Sequence, residues 1–195
     1  MLFRSQDSLG YNGESVLCVK SNGTLWAWGR NDVGQLGINN TTNISSPTQV
    51  GTDTNWLKAS TQYGMSRRCS AAIKSDGSLW TWGQNTYGEL GIGNTIDKSS
   101  PVQVGTDTNW NKVSSGGVNT IAIKTDGTLW VWGNNTYGQL GLGNTTGYSS
   151  PKQVGALTNW LTASAGAYFI ASLKTNNSLW TWGRSEEHTS ELQSH

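Results

Sequence analysis

Ser78-Leu79-Trp80-Thr81-Trp82-Gly83 decides the fold, because its Leu-Trp-x-Trp-Gly core occurs four times in the chain. The two tryptophans stand at positions i and i+2, which places both indoles on one face of an extended strand and the leucine on the other. We expect a strand with large apolar side chains on both faces to be buried on both sides. The tryptophans of the four copies are therefore predicted to form the structural core of the blades: Trp26, Trp28, Trp80, Trp82, Trp130, Trp132, Trp180 and Trp182.

The copies recur at an almost constant period. Trp80 follows Trp26 by 54 residues, and Trp130 and Trp180 follow at steps of 50 residues. Periods of this length are typical of solenoids and propellers. We predict one partial propeller over residues 1–184, with repeats at about 2–55, 56–109, 110–159 and 160–184, the last of them truncated.

Each complete repeat is predicted to contain four short strands, named A to D. Asp126-Gly127 between strands B and C of the third repeat is a strong hairpin signal. The strands of that repeat are predicted at 111–114 (A), 120–124 (B), 129–133 (C) and 151–154 (D). Four antiparallel strands per unit are the pattern of a propeller blade. The predicted fold is all-β: a partial β-propeller with three full four-stranded blades and a truncated fourth, arranged in an open arc.

The loop after strand C is the most regular part of the repeat. In the third repeat it reads Asn135-Thr136-Tyr137-Gly138-Gln139-Leu140-Gly141. We expect the glycines to adopt positive φ, the leucine to fill the blade edge, and the glutamine to satisfy backbone groups of the loop. A phosphate-binding role for this Gly-rich loop is disfavoured, because no strand-loop-helix context is visible.

The pattern K-[ST]-[DN]-G-[ST]-L-W-x-W-G, followed by G-[QE]-L-G and P-x-x-V, resembles the regulator of chromosome condensation repeat family. Residues 20–37 and 124–141 carry its first two parts almost completely. The resemblance implies a seven-bladed propeller, so the missing blades of a parent chain are implied partners. The chain looks most like Asn/Thr-rich bacterial members, which implies a secreted or cell-surface protein. The founding member is a nucleotide-exchange factor for a small GTPase, but none of its functional residues can be carried over.

The last residues differ in amino-acid composition from the rest of the chain. Residues 185–195 contain three glutamates and both histidines, with no aromatic residue and no glycine. The segment resembles the translated read-through of a sequencing adapter, so we interpret it as a non-native tail on a metagenomic fragment. A native polar tail is the alternative. Under the first interpretation the native part of the chain holds no histidine.

Composition argues against several classes of function. Only 13% of the residues are charged and no basic patch is visible, so nucleic-acid binding is not predicted. No run of about eighteen apolar residues occurs, so no membrane span is predicted. Without a native histidine no nucleophile–histidine pair can form, and Cys18 and Cys69 lack metal-ligand spacing. We predict no enzymatic activity, no metal and no cofactor, and we favour two buried thiols over a cross-blade disulfide.

Binding is the favoured function, and the loops that interrupt the repeat pattern are the favoured surface. In an antiparallel blade the A–B and C–D loops share one rim, where tyrosine, arginine and methionine are common interface anchors. The candidate binding residues are Tyr63, Met65, Arg67, Arg68, Tyr168 and Phe169, with ordinary variable loop residues as the alternative. The predicted function is a non-enzymatic scaffold for a protein or other ligand. GTPase nucleotide exchange and glycan binding are the alternatives.

The opposite rim carries one lysine per repeat: Lys20, Lys74, Lys124 and Lys174. An arc of lysines would attract an acidic partner. Because Asp76 and Asp126 each lie two residues from a lysine, we prefer a solvated and partly neutralised rim.

Overall fold

The computed structural model describes residues 8–11, 14–61 and 68–184, with residues 8–11 described through their backbone alone. In these residues fifteen strands form four antiparallel sheets. Blade 1 contains β1 (Ser8–Tyr11), β2 (Ser15–Val19), β3 (Leu25–Gly29) and β4 (Ile44–Gln49). Blade 2 contains β5 (Trp56–Thr61), β6 (Cys69–Lys74), β7 (Leu79–Gly83) and β8 (Lys98–Gln103). Blade 3 contains β9 (Trp110–Ser115), β10 (Asn119–Lys124), β11 (Leu129–Gly133) and β12 (Tyr148–Gln153). Blade 4 contains β13 (Trp160–Ala165), β14 (Phe169–Lys174) and β15 (Leu179–Gly183).

Each sheet is an up-and-down meander whose strands pair in chain order, so they serve as strands A to D of a blade. Strand A of each blade contacts strand A of the next, through the pairs β1–β5, β5–β9 and β9–β13. Strands A therefore line the inside of the arc, and strands D lie outside. The prediction of an all-β partial propeller in an open arc is confirmed. The described part of the chain contains no helix that could cross a bilayer.

Strand D differs from its predicted bounds. In blade 3 it begins at Tyr148, three residues before Pro151, because Tyr148 already pairs with Gly133. The ladder then shifts register before Lys152 pairs with Val131. Pro151 falls in this interruption of an outer edge strand, where its missing N–H costs no ladder hydrogen bond. Proline thus marks the irregular middle of strand D and not its beginning.

Adjacent blades pack through unlike faces. The leucine face of blade 2 forms one hydrophobic cluster with the tryptophan face of blade 3, and the same arrangement recurs between blades 1 and 2 and between blades 3 and 4. In blade 3 the small Ala122 lies opposite Trp130. The Trp110 ring of strand A meets the rings of Trp130 and Trp132 edge-on, each with centroids 6.1 Å apart. Aromatic pairs in this geometry are stabilising beyond the area that they bury.

At two of the three blade contacts, the second tryptophan of the pair ties one blade to the loop of the blade before it, whereas the buried indole N–H of Trp182 at the third contact has no hydrogen-bond partner among the described residues. Trp82 donates its indole N–H to the carbonyl of Gln35 at 2.9 Å, and Trp132 donates to the carbonyl of Glu89 at 2.8 Å. Both indoles are fully buried. Such a bond satisfies two groups that would otherwise be costly to bury. The Leu-Trp-x-Trp-Gly stretch therefore stabilises the contact between blades and not only its own sheet.

Burial of the eight tryptophans is uneven. Trp82 and Trp132 are completely buried, and most of the others are partly buried. Trp180 differs, because 44% of it is exposed. It lies on β15, which pairs with β14 alone among the described strands, whereas β3, β7 and β11 each have a strand D on their other side.

The glycine that ends the Gly-x-Leu-Gly segment of the C–D loop lies against the second tryptophan of the next blade. A Cβ atom added to Gly91 would lie 2.7 Å from Nε1 of Trp132, and the φ of Gly91 is +72°. Gly105 offers a matched position, because its φ is +60° but nothing lies within 4 Å of its added Cβ. Alanine substitutions at these two positions can therefore distinguish the free-energy cost of a left-handed backbone from the cost of crowding an indole.

We predict that Gly91→Ala destabilises the protein more than Gly105→Ala. Alanine in a left-handed conformation costs about 1–2 kcal/mol at either position. Crowding of Trp132 adds about 1–3 kcal/mol at Gly91 alone. Urea denaturation of both variants measures the difference, and equal losses of free energy of unfolding would show that the glycine–indole contact has no energetic role.

Candidate functional site

The loops form two rims at opposite ends of the strands. We call the rim of the A–B and C–D loops the loop rim; its described parts are Glu14, Arg68 and residues 30–43, 84–97, 116–118, 134–147 and 166–168. The hairpin rim consists of the B–C hairpins and the D–A loops. Of the predicted binding residues, Tyr63, Met65 and Arg67 lie outside the described residues. Arg68 and Tyr168 lie on the loop rim, and Phe169 begins β14 beside it.

One buried asparagine organises each C–D loop. Asn135 donates from Nδ2 to the carbonyls of Asn144 at 2.9 Å and Thr146 at 3.0 Å, and its Oδ1 accepts from the Leu140 N–H at 2.8 Å. Asn31 and Asn85 make the same set of bonds. Sequence reasoning missed this role, although the same amide at the same position of three repeats was a usable signal.

The glutamine or glutamate of the C–D loop has its predicted role. Gln139 accepts from the backbone N–H of Tyr137 at 2.8 Å, and Glu89 accepts from that of Tyr87 at 2.6 Å. The loop glycines Gly138 and Gly141 adopt positive φ, also as predicted. Internal bonds of this kind hold the loop in one shape, so the side chains that project from it are presented on a rigid support.

The residue immediately before strand B occupies one recurrent slot in each blade. Its carbonyl accepts a backbone hydrogen bond from the residue after the Trp-Gly pair, as in Asn134 to Val118 at 2.8 Å and Arg184 to Tyr168 at 2.9 Å. The backbone of the slot is therefore the same in every blade, whereas its side chain varies. The slot residues are Glu14, Arg68, Val118 and Tyr168.

Charged residues fill the slot at the junction of blades 1 and 2. Arg68 pairs with Glu14 at 2.7 Å and with Asp32 at 3.4 Å, and Arg30 pairs with the same two carboxylates at 3.0 and 2.7 Å. The hydrogen bond from Arg68 holds the pKa of Glu14 below its ordinary value. Arg68 itself is only 8% exposed. The structure therefore places this predicted binding residue in a contact between two blades.

Aromatic residues fill the corresponding slot at the junction of blades 3 and 4. Tyr168 meets Tyr137 of the preceding C–D loop edge-on, with ring centroids 5.5 Å apart. The guanidinium of Arg184 lies 5.1 Å from the centroid of the Tyr137 ring. Tyr137 is 48% exposed and Tyr168 40% exposed. This aromatic junction, Tyr137, Tyr168 and Arg184, joins one predicted residue to two that the sequence did not single out.

Three of the four lysines of the hairpin rim, Lys74, Lys124 and Lys174, are buried, so the prediction that they are solvated is wrong, whereas the predicted partial neutralisation is found at Lys74 and Lys124. Lys124 is 7% exposed, and its ammonium lies over the rings of Trp110 and Trp130, 4.8 and 4.2 Å from their centroids. It pairs with Asp107 at 2.6 Å, and Lys74 likewise pairs with Asp53 at 2.8 Å. The aliphatic stem of the lysine packs on the indoles while the ammonium reaches a carboxylate at the surface. The partners come from the D–A loops and not from the Asp-Gly hairpins.

Lys174 lies over the indoles of its own blade, as Lys124 does, but no carboxylate occupies the position of Asp107. It is 7% exposed and lies 3.8 Å from the centroid of the Trp180 ring. Leu157 occupies the position that Asp107 holds one repeat earlier, and it is 46% exposed. No carboxylate among the described residues forms an ion pair with Lys174.

The two cysteines and the acidic side chains were the residues with which catalytic or metal chemistry could be tested in the described part of the chain. Cys18 and Cys69 are buried and form no disulfide, as favoured from the sequence. Burial raises the pKa of the Cys69 thiol to about 12, so this group is not a nucleophile at neutral pH. No cluster of three or more histidine, cysteine or acidic side chains in the described ranges is placed to hold a metal ion.

We predict that Leu157→Asp stabilises the protein by introducing the missing ion pair. A partly exposed pair of this kind contributes about 0.2–1 kcal/mol. The gain in free energy of unfolding should vanish in a Lys174→Met background, which thermal and urea denaturation of the four proteins of the double-mutant cycle will measure. An equal gain with and without Lys174 contradicts the lysine–carboxylate pairing.

Acid should weaken the B–C hairpins. The hydroxyl of Thr128 donates to Asp126 and holds the pKa of that carboxyl below its ordinary value, and Ser78 acts in the same way on Asp76. A carboxyl with a lowered pKa in the folded state stabilises the fold above its ordinary pKa. That contribution is lost as the pH falls through the lowered value.

Asparagine is a natural control, because Asn176 accepts the same two bonds from Ser178 in blade 4. We predict that acidification from about pH 5 to pH 3 lowers the Tm of the Asp76→Asn, Asp126→Asn double variant less than it lowers the Tm of the parent. At pH 7 it should melt close to the parent. An equal fall of Tm with pH in the two proteins would contradict a stabilising role of the Asp76 and Asp126 carboxylates.

Comparison with known proteins agrees with this architecture. The profile described as "Regulator of chromosome condensation (RCC1) repeat" matches residues 22–66, 76–123 and 126–173, and a second profile of the same description matches 110–139. Human Protein RCC2 is 35% identical over 89 residues, which are 45% of this chain and 17% of that protein. The Ultraviolet-B receptor UVR8 of Arabidopsis thaliana is 33% identical over 99 residues, which are 51% of this chain and 22% of the receptor.

Solved propellers share the fold. Human WBSCR16 superposes with a TM-score of 0.78 at 23% identity, over 94% of this chain and 49% of that one. Yeast RCC1 (Prp20), solved in complex with Kap60, superposes with a TM-score of 0.78 at 17% identity, over 94% of this chain and 45% of that one. The chain thus spans about half of these propellers and about a fifth of the curated relatives. The repeat profile covers most of its length, and the chain belongs to the regulator of chromosome condensation (RCC1) repeat family.

Proposed function

We propose that the chain is a non-enzymatic scaffold that binds another protein through the loop rim. The observation that carries the proposal is the position of the exposed aromatic residues. Apart from Trp180, every large aromatic side chain that the described residues expose is on or beside this rim: Tyr87, Tyr137, Tyr168 and Phe169, which are 38–52% exposed. Aromatic residues in such numbers on one surface are characteristic of interface anchors.

The aromatic junction of blades 3 and 4 is the proposed centre of the interface. Tyr137 and Tyr168 already contact each other edge-on, and Asn135 and Gln139 hold the loop that carries Tyr137. A partner would therefore meet two ordered rings, with little side-chain entropy left to lose on binding. Arg184 beside them adds a positive group that can accompany an aromatic contact or meet a carboxylate of the partner.

The charged junction of blades 1 and 2 has a different role in the proposal. Glu14, Asp32, Arg30 and Arg68 balance one another in charge and are already paired. Such a cluster contributes more to discrimination between partners than to attraction. Tyr63, Met65 and Arg67, which directly precede Arg68 in the chain, remain predicted members of the binding surface.

The relatives favour protein partners over other ligands. The yeast propeller has been solved with Kap60 bound, and another structure of it is described together with its binding to Gsp1p and histones. A Caenorhabditis elegans relative, 36% identical over 99 residues, is named as a homolog of a GTPase regulator. GTPase nucleotide exchange is therefore the second candidate function. Glycan binding, a bacterial origin and a secreted or surface location remain predictions from the sequence.

We predict that Tyr137→Ala combined with Tyr168→Ala abolishes capture of protein partners by the immobilised chain. The variant removes both exposed rings of the proposed centre while leaving the asparagine-bonded loop in place. Tyr148→Ala is the matched control, because Tyr148 lies on the outer strand β12 of the same blade. Quantitative mass spectrometry of captured proteins, with circular dichroism to verify folding, gives the comparison.

Partners that are retained equally by the double variant and by Tyr148→Ala would contradict binding through this junction. Nucleotide release from purified small GTPases distinguishes the second candidate. Acceleration by the parent chain, and not by the double variant, would assign exchange to the same surface.

A further inference from the structure

Two lysines lie on neighbouring strands A, on the inside of the arc. Lys58 is the third residue of β5 and Lys112 is the third residue of β9. These two strands contact each other at the junction of blades 2 and 3. Both positions are near the end of strand A that follows the D–A loop, so this place is separate from the loop rim.

Each lysine is bonded to the next blade at a bulge of its strand A. The ladder between β9 and β10 shifts register at Asn111, which has no opposite residue, and a bulged residue is left out of the ladder. Lys58 donates to the carbonyl of Asn111 at 2.7 Å and to its Oδ1 at 3.1 Å. Leu161 is the bulged residue of β13, and Lys112 donates to its carbonyl at 2.5 Å. These bonds hold both ammonium groups in defined positions.

The two ammonium groups keep donors that these bonds do not use. An ammonium has three N–H donors. The bonds to Asn111 and Leu161 leave one donor on Lys58 and two on Lys112. Neither lysine forms an ion pair with a carboxylate of the described residues, in contrast to Lys74 and Lys124 of the hairpin rim.

The described carboxylates are all engaged at other places. Those of Glu14 and Asp32 pair with arginines, and those of Asp53 and Asp107 pair with the lysines of the hairpin rim. The remaining ones accept hydrogen bonds within their own hairpins or loops: Asp76, Glu89, Asp97 and Asp126. In the described part of the chain, no ion pair therefore balances the charge of Lys58 and Lys112.

The uncompensated charges influence each other. Both lysines are half-buried. Burial and the positive charge of Lys112 lower the pKa of the Lys58 ammonium. Two like charges in a partly buried position disfavour their charged forms, whereas an anion nearby favours them. A bound anion would therefore remove a repulsion that the folded chain otherwise retains.

We propose that Lys58 and Lys112 bind a small oxyanion of the phosphate class on the inner wall of blades 2 and 3. The unused donors of the two ammonium groups suit a ligand with several acceptor oxygens, and lysine is a common phosphate ligand that acts as a point charge. Every group of this site belongs to a described residue. The site goes beyond the proposed protein-binding function, because it uses strands A and not the loop rim.

The test is a titration of the full chain with inorganic phosphate, which replaces sodium chloride at constant ionic strength. The NMR signals of the lysine side chains report binding. We expect the signals of Lys58 and Lys112 to shift together and to saturate. Lys152 is exposed on the outer strand β12, so its signal should show no saturable shift.

Three variants complete the test, with folding verified by circular dichroism. Lys58→Met and Lys112→Met should each weaken phosphate binding about tenfold, because each removes a charge-assisted hydrogen bond. Lys152→Met is the matched control, since it removes the same charge from β12 and should bind phosphate like the parent. Equal weakening in all three variants would overturn the proposal, because it would show attraction by net charge alone. Absence of saturable shifts at Lys58 and Lys112 in the parent would also overturn it, and that measurement requires no variant.

Discussion

The structure depends on one interaction between neighbouring blades, in which a buried indole donates to the carbonyl of the preceding loop. Trp82 and Trp132 make this bond to Gln35 and Glu89. The hydroxyls of Ser70 and Thr120 donate to the same two carbonyls at 2.8 Å. The C–D loops of blades 1 and 2 are therefore each anchored at one atom by the sheet of the next blade. Because the loop is held there, its Gly-Gln-Leu-Gly segment has little freedom to change without disturbing two blades.

This constraint explains why variation is concentrated where it is. The buried asparagine, the glutamine or glutamate, and the two glycines of the Gly-x-Leu-Gly segment of the C–D loop are all engaged in internal hydrogen bonds. The slot before strand B has a constant backbone but a variable side chain, which is a member of an ion-pair cluster, a buried valine or a tyrosine in edge-on contact with another tyrosine. A regular scaffold thus carries a rim whose chemistry changes from charged at blades 1 and 2 to aromatic at blades 3 and 4. The proposed binding function uses that difference.

Much of the fold could be predicted from the sequence, because the tryptophan period repeats at blade spacing. Strand C of blade 3 has the predicted bounds, 129–133, since its two apolar faces leave no other register. The lysines were misjudged for a physical reason. Their carboxylate partners lie in the preceding D–A loop, 21 residues before Lys74 and 17 before Lys124, and nearby Asp76 and Asp126 are used inside their own hairpin turns.

The rim was only partly predictable for a similar reason. Tyr168 was singled out because it departs from the repeat, but its contact with Tyr137 joins loops of two different blades and leaves no local pattern. Arg68 was selected by the same departure, yet its side chain turns inward to Glu14. Deviation from a repeat therefore marks positions that are free to vary, and only the packing shows which of them face a partner.

The most direct test of the account is hydrogen exchange of the tryptophan indole protons, followed by NMR on the folded chain. The interblade bond predicts that the Nε1 protons of Trp82 and Trp132 exchange most slowly, because both are buried and bonded to a loop carbonyl. Trp180, which is exposed and donates to the hydroxyl of Ser178, should exchange rapidly. Similar exchange rates for all three protons would contradict the claim that these indoles hold the blades together.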